Sequence, residues 1–335
     1  MKLVVADIGG TKTLVALAHR EGDKWQFAHR KRLPSGDYGS LAELLDHWLD
    51  TELDGDREIA GIGLALAGPV TGSEDSVQAR TTNLDWPPLD SGELRRRFGA
   101  PTVLVNDFAA IGASLDALGP EDTVTLQSGS PDPQGLRLVV GAGTGLGTCL
   151  VGPPPEARLY AGEGGHADFA PADEWQSALA AWVRGGEGRC SREHLLSGPG
   201  IARIAAFMNR EIADGSLSEA LGARDPAAEI GRMAGEGHPP ALQVIQRFVS
   251  IYAGQLGDLA LAALPRGGVF IAGGIAPRLL EHFQNADFVA AFRAKPPMQR
   301  LLEDLPMQLI VHPEPGLLGA AVTAHRAVAN AGEHP

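Results

Sequence analysis

The sequence predicts a two-domain α/β protein, on three observations. An apolar strand, a glycine-threonine turn and a second apolar strand occupy residues 3–18, and the same succession returns over residues 136–151. A third apolar strand, Val269 to Ala272, runs into Gly273 Gly274 after a long helical pattern from Ala241 to Leu264. At 335 residues, 44% of them apolar, the chain can fill one large or two ordinary cores.

Taken in order, Leu3 to Asp7 reads as a buried strand, Ile8 to Thr11 as a turn and Thr13 to Ala18 as the returning strand. Ser40 begins a helix whose Leu41, Leu44, Leu45, Trp48 and Leu49 share one face, with Glu43 placed to complete a capping box. Ile59 to Leu66 and Val103 to Val105 are further strands, and Phe108 to Leu118 is a helix. After the polar connection around Pro131 and Pro133, Leu136 to Val140 and Leu146 to Val151 flank Gly141 to Gly145. The recurrence implies an internal duplication, with each domain contributing one turn to a shared cleft. The first domain is expected over residues 1–115, joined by a C-terminal helix within 314–335, and the second over 116–313.

Composition excludes several functions. A formal charge of −13 argues against a protein that grips nucleic acid through clustered Lys and Arg. Two cysteines, Cys149 and Cys190, with no Cys-x-x-Cys, build neither a disulfide framework nor a structural zinc site. The N-terminus lacks a signal-peptide pattern and no run reaches a membrane span, so a soluble cytoplasmic protein without a membrane partner is expected. Glycine is the outlier, with 43 residues, about twice its usual share.

Those glycines gather where chemistry is possible. Asp7-Ile8-Gly9-Gly10-Thr11 sets a carboxylate, two residues without side chains and a hydroxyl at a strand end, where backbone N–H groups can turn toward an anion. Phosphate suits such a turn, and Asp7 could hold a magnesium ion through water; a plain hairpin turn explains the same residues. Gly141-Ala142-Gly143-Thr144-Gly145-Leu146-Gly147 is a stronger signal, because alternating glycines between strands cost conformational entropy unless close approach is used. It is not the dinucleotide fingerprint, since a strand follows where a helix should begin, and no Gly-Lys pair exists for a Walker-type loop. Gly273 Gly274 could let a helix start beneath a flat ring such as adenine, or be a tight strand-to-helix turn.

Asn106 Asp107 emerges from the apolar Val103 to Val105, at the kind of strand end where α/β proteins bind ligands. Asp107 before Phe108 Ala109 Ala110 fits a helix N-cap, the commoner role for an Asp at such a place, and a catalytic base is the alternative. Glu163-Gly164-Gly165-His166, with Asp168 close behind, puts an acid and an imidazole on a loop that can aim both into a cavity. Recognition of a hydroxylated ligand and a metal site both use such residues, although no second histidine lies nearby. Glu193 is either another acceptor or a solvated helix residue.

Together these residues resemble the bacterial glucokinases of the hexokinase, actin and heat-shock-chaperone ATPase superfamily. Asp7 to Thr11 resembles the family's first phosphate loop, Gly141 to Gly147 its second and Gly268 to Gly274 its adenosine loop. The similarity is most specific in Gly162-Glu163-Gly164-Gly165-His166-Ala167-Asp168-Phe169, in Leu196-Ser197-Gly198-Pro199-Gly200 and in His312-Pro313-Glu314-Pro315-Gly316-Leu317-Leu318-Gly319. It implies a two-domain actin-like ATPase (ribonuclease H-like) fold with a cleft between the domains, and transfer of phosphate from ATP with Mg2+ to glucose, giving glucose 6-phosphate. It implies Asp107 as general base, with Asn106, Asp107, Glu163, His166 and Glu193 on the sugar hydroxyls. Asp7, Gly9, Gly10, Thr11, Gly143, Thr144, Gly145, Gly273 and Gly274 are the implied nucleotide residues, with Asp7 the metal residue.

Thr82-Asn83-Leu84-Asp85-Trp86 resembles the family's cleft-lining loop. Lys12 Thr13 departs from the Asn-Ala-Arg of many relatives, and the cysteine-rich zinc motif of the neighbouring repressor and kinase group is missing. Rival expectations are a kinase of another hexose or an amino sugar, a sugar-sensing regulator and a chaperone-like ATPase. The oligomeric state stays open, a homodimer included.

Overall fold

The computed structural model describes residues 1–73, 76–81, 84–212 and 215–333. The chain divides into two compact units, residues 1–119 with 312–335, and residues 120–311.

The first unit is organised on five strands, Leu3–Ile8 (β1), Lys12–Glu21 (β2), Lys24–Pro34 (β3), Gly61–Leu66 (β4) and Thr102–Asn106 (β5), in the order β3-β2-β1-β4-β5. β1 to β3 form an antiparallel meander, and β4 and β5 extend it parallel to β1. Alternation along β1 gives the sheet two apolar faces. Val4, Ala6 and Ile8 belong to the core that contains Leu44, Leu45 and Trp48 of helix α1 (Leu41–Glu52), whereas Leu3 and Val5 pack with Leu317, Ala320 and Ala324 of the C-terminal helix Pro315–Glu333. That helix also lies against helix α2 (Asp107–Ser114) so closely that a Cβ on Gly319 would run into the Ala110 backbone. At the start of α1 the Ser40 hydroxyl accepts from the Glu43 N–H (3.1 Å). The Glu43 carboxylate reaches beyond the cap to the Gly39 N–H (2.8 Å).

The second unit repeats the plan. Thr123–Gln127 (β6), Arg137–Ala142 (β7), Leu146–Val151 (β8), Leu159–Gly162 (β9), Gly268–Ala272 (β10) and Met307–Ile310 (β11) lie in the order β9-β8-β7-β10-β11-β6. β7 to β9 are an antiparallel meander, β10 and β11 run parallel to β7, and β6 is an added antiparallel edge. The expected duplication is thus visible as a shared strand order. The long helix Pro239–Ala263 buries Val244, Ile245, Phe248, Tyr252 and Leu256, and its Tyr252 hydroxyl donates to the Val140 carbonyl (3.2 Å).

Cys149 and Cys190 are buried and unpaired, and burial pushes both thiols up to about 11. No helix among the described residues is long and apolar enough to cross a membrane.

Candidate active site

In the first unit the parallel register aligns the C-terminal ends of three strands. Asp7 is level with Ala65, and Leu66 of the next row pairs Asn106, so Asp7 and Asp107 emerge along one edge of the sheet. The Asp107 position is set by the start of α2, and here the structure separates two neighbouring roles. Asn106, not Asp107, is the N-cap: its Oδ1 accepts from the Phe108 N–H (2.9 Å) and the Ala109 N–H (3.2 Å). Its Nδ2 donates to the Gly68 carbonyl (3.2 Å), which leaves the second Nδ2–H for a ligand. Asp107 occupies the first helical position, where the positive end of the helix dipole favours a carboxylate.

Glu314, just ahead of the C-terminal helix, adds a third acid to this edge, and a Cβ on Gly316 would meet the Asp7 carboxyl at 3.1 Å. Burial, then the negative charges of Asp107 and Glu314, push the Asp7 carboxyl up to about 6 against the opposing pull of Arg32. Arg30 and Arg32 of β3 both donate to the Glu314 carboxylate. The β1–β2 turn beside these acids is closed by the Gly9 N–H donating to the Lys12 carbonyl (3.0 Å). Ser35 fastens it from outside, its hydroxyl donating to the Gly9 carbonyl (3.2 Å) and its N–H to the Thr11 carbonyl (3.1 Å). Gly10 and Thr11 are at the tip, with Thr11 exposed.

In the second unit the β7–β8 turn is closed by the Gly143 N–H donating to the Gly145 carbonyl (2.8 Å), and the Gly198 N–H donates to the Gly143 carbonyl (2.8 Å). A Cβ on Gly143 would meet nothing within 4 Å. The open space belongs to a cavity of about 1080 Å³, lined by Gly143, Thr144, Gly198, Arg224, Gly274 and Arg278, among others. Two glycine turns far apart in sequence therefore face the same cavity. Gly273 supplies the left-handed bend (φ 85°) that carries β10 into Gly274.

Glu163, His166 and Glu193 are brought together in the same unit. His166 Nε2 lies 3.7 Å from Glu163 Oε2, and His166 Nδ1 lies 3.8 Å from Glu193 Oε1. Gly164–His166 form a short 3-10 turn packed on β8, with no room for a Cβ on Gly165 above the Leu146 carbonyl. The other Glu193 oxygen accepts from the Leu146 N–H (2.8 Å). Asp168 is engaged by Arg189 at 2.5 Å rather than directed at this group.

Two supporting residues are not signalled by the sequence. Arg192 donates from Nη1 to the Gly164 carbonyl (3.0 Å) and from Nε to Gln255 Oε1 (3.1 Å). Gln255, buried in the long helix, donates in turn to the Ala170 carbonyl (2.8 Å). An arginine beside a candidate acid and a glutamine within an apolar helix carry no pattern that marks them. Of the expected loop Thr82 to Trp86, Thr82 and Asn83 lie outside the described residues, while the Trp86 indole N–H donates to the Tyr38 carbonyl (2.8 Å). Among the described residues no group of three or more His, Cys, Asp or Glu side chains is arranged to chelate a metal.

The family model for glucokinase matches residues 4–327. A curated glucokinase from Nostoc sp. is 35% identical over 97% of this chain and 99% of its own length. Among solved structures, a glucokinase from an Antarctic psychrotroph is 29% identical, with a TM-score of 0.81 over 97% of this chain and 99% of that one. A ROK family glucokinase from Streptomyces griseus, solved in complex with glucose and AMPPNP, is 21% identical, with a TM-score of 0.65 over 97% of this chain and 100% of that one.

Proposed function

The chain belongs to the glucokinase family and has its actin-like ATPase fold, and we propose that it transfers the γ-phosphoryl group of ATP to glucose, forming glucose 6-phosphate, with Asp107 as the general base. The observation that carries the nucleotide half is the cavity into which both Gly143-Thr144 and Gly274 open, with Arg224 and Arg278 on its wall. Its size suits a nucleotide, and its bare glycine backbone lets phosphate oxygens approach. The family match and the sugar in the Streptomyces griseus complex support glucose as the acceptor.

Phosphoryl transfer has a loose transition state, so positioning and charge stabilisation do most of the work. Asp107 orients the attacking sugar hydroxyl and takes its proton as the oxygen begins to bond to phosphorus. Glu163, His166 and Glu193 accept from and donate to the other hydroxyls, with the remaining Asn106 Nδ2–H as a further donor. Gly9, Gly10, Thr11, Gly143, Thr144 and Gly145 offer backbone N–H groups and hydroxyls to the phosphates.

Magnesium fits the first unit on the chemistry of its donors. Burial and the negative charges of Asp107 and Glu314 raise the Asp7 carboxyl to about 6, and a divalent cation relieves that repulsion. The ion commonly takes one or two carboxylates, keeping water and phosphate oxygens for the rest. When bound with ATP it neutralises phosphate charge. The expected setting is the cytoplasm, where ATP and glucose meet.

A coupled assay with MgATP tests the proposal on a panel of glucose, mannose, fructose and glucosamine. Glucose should give the highest kcat/KM. A higher value for glucosamine or another hexose would transfer the assignment to that sugar, and no turnover with any would end it.

A further inference from the structure

Glu193 is one carboxylate with two commitments. Oε1 faces the His166 imidazole at 3.8 Å, in the group assigned to the sugar. Oε2 accepts from the Leu146 N–H at 2.8 Å, at the base of the turn assigned to the phosphates. The turn has been shaped around it, because a Cβ on Gly145 would occupy the place of that oxygen. Five residues further on, the Gly198 N–H donates to the Gly143 carbonyl (2.8 Å). The Ser197 hydroxyl ties the two points together by donating to the Glu193 carbonyl (2.8 Å). The segment Glu193 to Gly198 thus clamps the β7–β8 turn at both ends while presenting one oxygen to the imidazole.

We infer that Glu193, besides serving as a sugar ligand, is the positioning residue of the phosphate turn, so that nucleotide affinity depends on a side chain that does not touch the nucleotide. The inference rests on the proposed function for the identity of the two ligands. Physically, the Leu146 N–H gains a charged acceptor, and such bonds are stronger and shorter than neutral ones. Removing the acceptor leaves a half-buried N–H unsatisfied and releases one end of the turn. A glutamine keeps an acceptor oxygen for Leu146 but loses the charge that sugar hydroxyls and His166 meet.

The two roles are therefore separable by substitution. Calorimetric titration of AMPPNP without glucose, and of glucose without nucleotide, is made on wild type, Glu193→Gln, Glu193→Ala and Glu163→Gln. Glu193→Gln should weaken glucose about tenfold and leave AMPPNP within about twofold of wild type. Glu193→Ala should weaken glucose similarly and AMPPNP about five- to tenfold. Glu163→Gln, whose carboxylate is not bonded to the turn, should weaken glucose only. Gly145→Ala provides a second route, since its Cβ displaces the native Glu193 carboxylate; it should weaken AMPPNP in wild type and add little to Glu193→Ala. AMPPNP affinity unchanged in Glu193→Ala, or lost equally in the Gln and Ala variants, overturns the inference. Wild type binding neither AMPPNP nor glucose would instead sink the proposed function.

Discussion

The two glycine turns sit on sheets of one plan, yet they are fastened by different means and keep different company. The turn at Gly9 to Thr11 is held by a serine, through bonds from Ser35 to the Gly9 and Thr11 carbonyls. Its neighbours are acids: Asp7, with Asp107 and Glu314 close enough to raise its affinity for a proton. The turn at Gly143 to Gly145 is held by an acid, Glu193, and its cavity carries Arg224 and Arg278. On the proposed function, support and chemistry belong to separate residues in the first unit, whereas in the second one carboxylate belongs to both. On the same reading, the first unit sets the base and the metal carboxylate beside one phosphate turn, and the second sets the acid and imidazole group for the sugar beside the other. Substitutions in the first unit should strike single steps, whereas those around Glu193 should spread across two ligands.

The largest effect expected is on chemistry alone. Asp107→Asn should lower kcat by on the order of 10²-fold or more, the usual size of a general-base contribution, with little change in the glucose dissociation constant. The capping bonds to Asn106 survive the change, and an asparagine at 107 keeps an oxygen for the Phe108 N–H, which also donates to Asp107 Oδ1 (2.9 Å). A variant keeping more than about a tenth of wild-type kcat in the coupled assay would remove Asp107 from the role.

In the second unit, Gly143→Val sharpens the contrast between a turn's fold and its ligand. The Cβ meets no protein atom within 4 Å, so the melting temperature should hardly move. AMPPNP should weaken by about tenfold or more, because a branched side chain fills the space open to phosphate. Unchanged nucleotide affinity by calorimetry would show that the phosphates do not lie over this residue.

The acidic edge of the first unit carries a stability cost with a definite pH window. The Asp7 carboxyl ionises near 3.8 in the unfolded chain and at about 6 in the folded one, so the unfolded state releases its proton first. Stability therefore falls as pH rises from about 4 to 6, and the full penalty, on the order of 3 kcal/mol, persists above that range. Asp7→Asn should raise the melting temperature at pH 7 in the absence of magnesium and nucleotide, and the gain should vanish toward pH 4. A gain independent of pH would assign it to packing instead of charge. The same variant should lose activity if Asp7 holds magnesium as proposed.

Much of this division was legible beforehand because it is written in local patterns. Continuous apolar runs in residues 3–18 and 136–151 report buried strands, and paired glycines report turns. What escaped was written in partners. Lys24–Pro34 alternates only at Trp25 and Phe27 and is charged from Arg30 to Arg32, yet it pairs along β2 through its whole length, because an edge strand is recruited by its neighbour's backbone as well as by its own hydrophobicity. The capping role at α2 is ambiguous in the sequence because Asn106 and Asp107 both favour an N-cap, and only the backbone at Asn106 (φ −60°, ψ 147°) decides between them. Glu193 was equally consistent with a solvated helix position until Leu146, 47 residues away in sequence, supplied its donor.

The smallest effect expected tests how far the sharing in the second unit extends. Arg192 is adjacent to Glu193 but turns the other way, its Nη1 donating to the Gly164 carbonyl and its Nε to Gln255. It supports the turn that carries Glu163 and His166 and, among the described residues, makes no bond to Gly143, Thr144 or Gly145. Lysine preserves the charge but is a single point donor, so it cannot reproduce the fork that spans a carbonyl and an amide oxygen. Arg192→Lys should then raise the KM for glucose about three- to tenfold through a looser sugar group, while the KM for ATP stays within about twofold. Gln255→Glu, which keeps an acceptor for Nε, should cost less than Gln255→Leu, which leaves both Arg192 Nε and the Ala170 carbonyl without their partner. If Arg192→Lys instead raised both KM values together, the sugar group and the phosphate turn would be one mechanical body, and the division of labour would run between the two units alone.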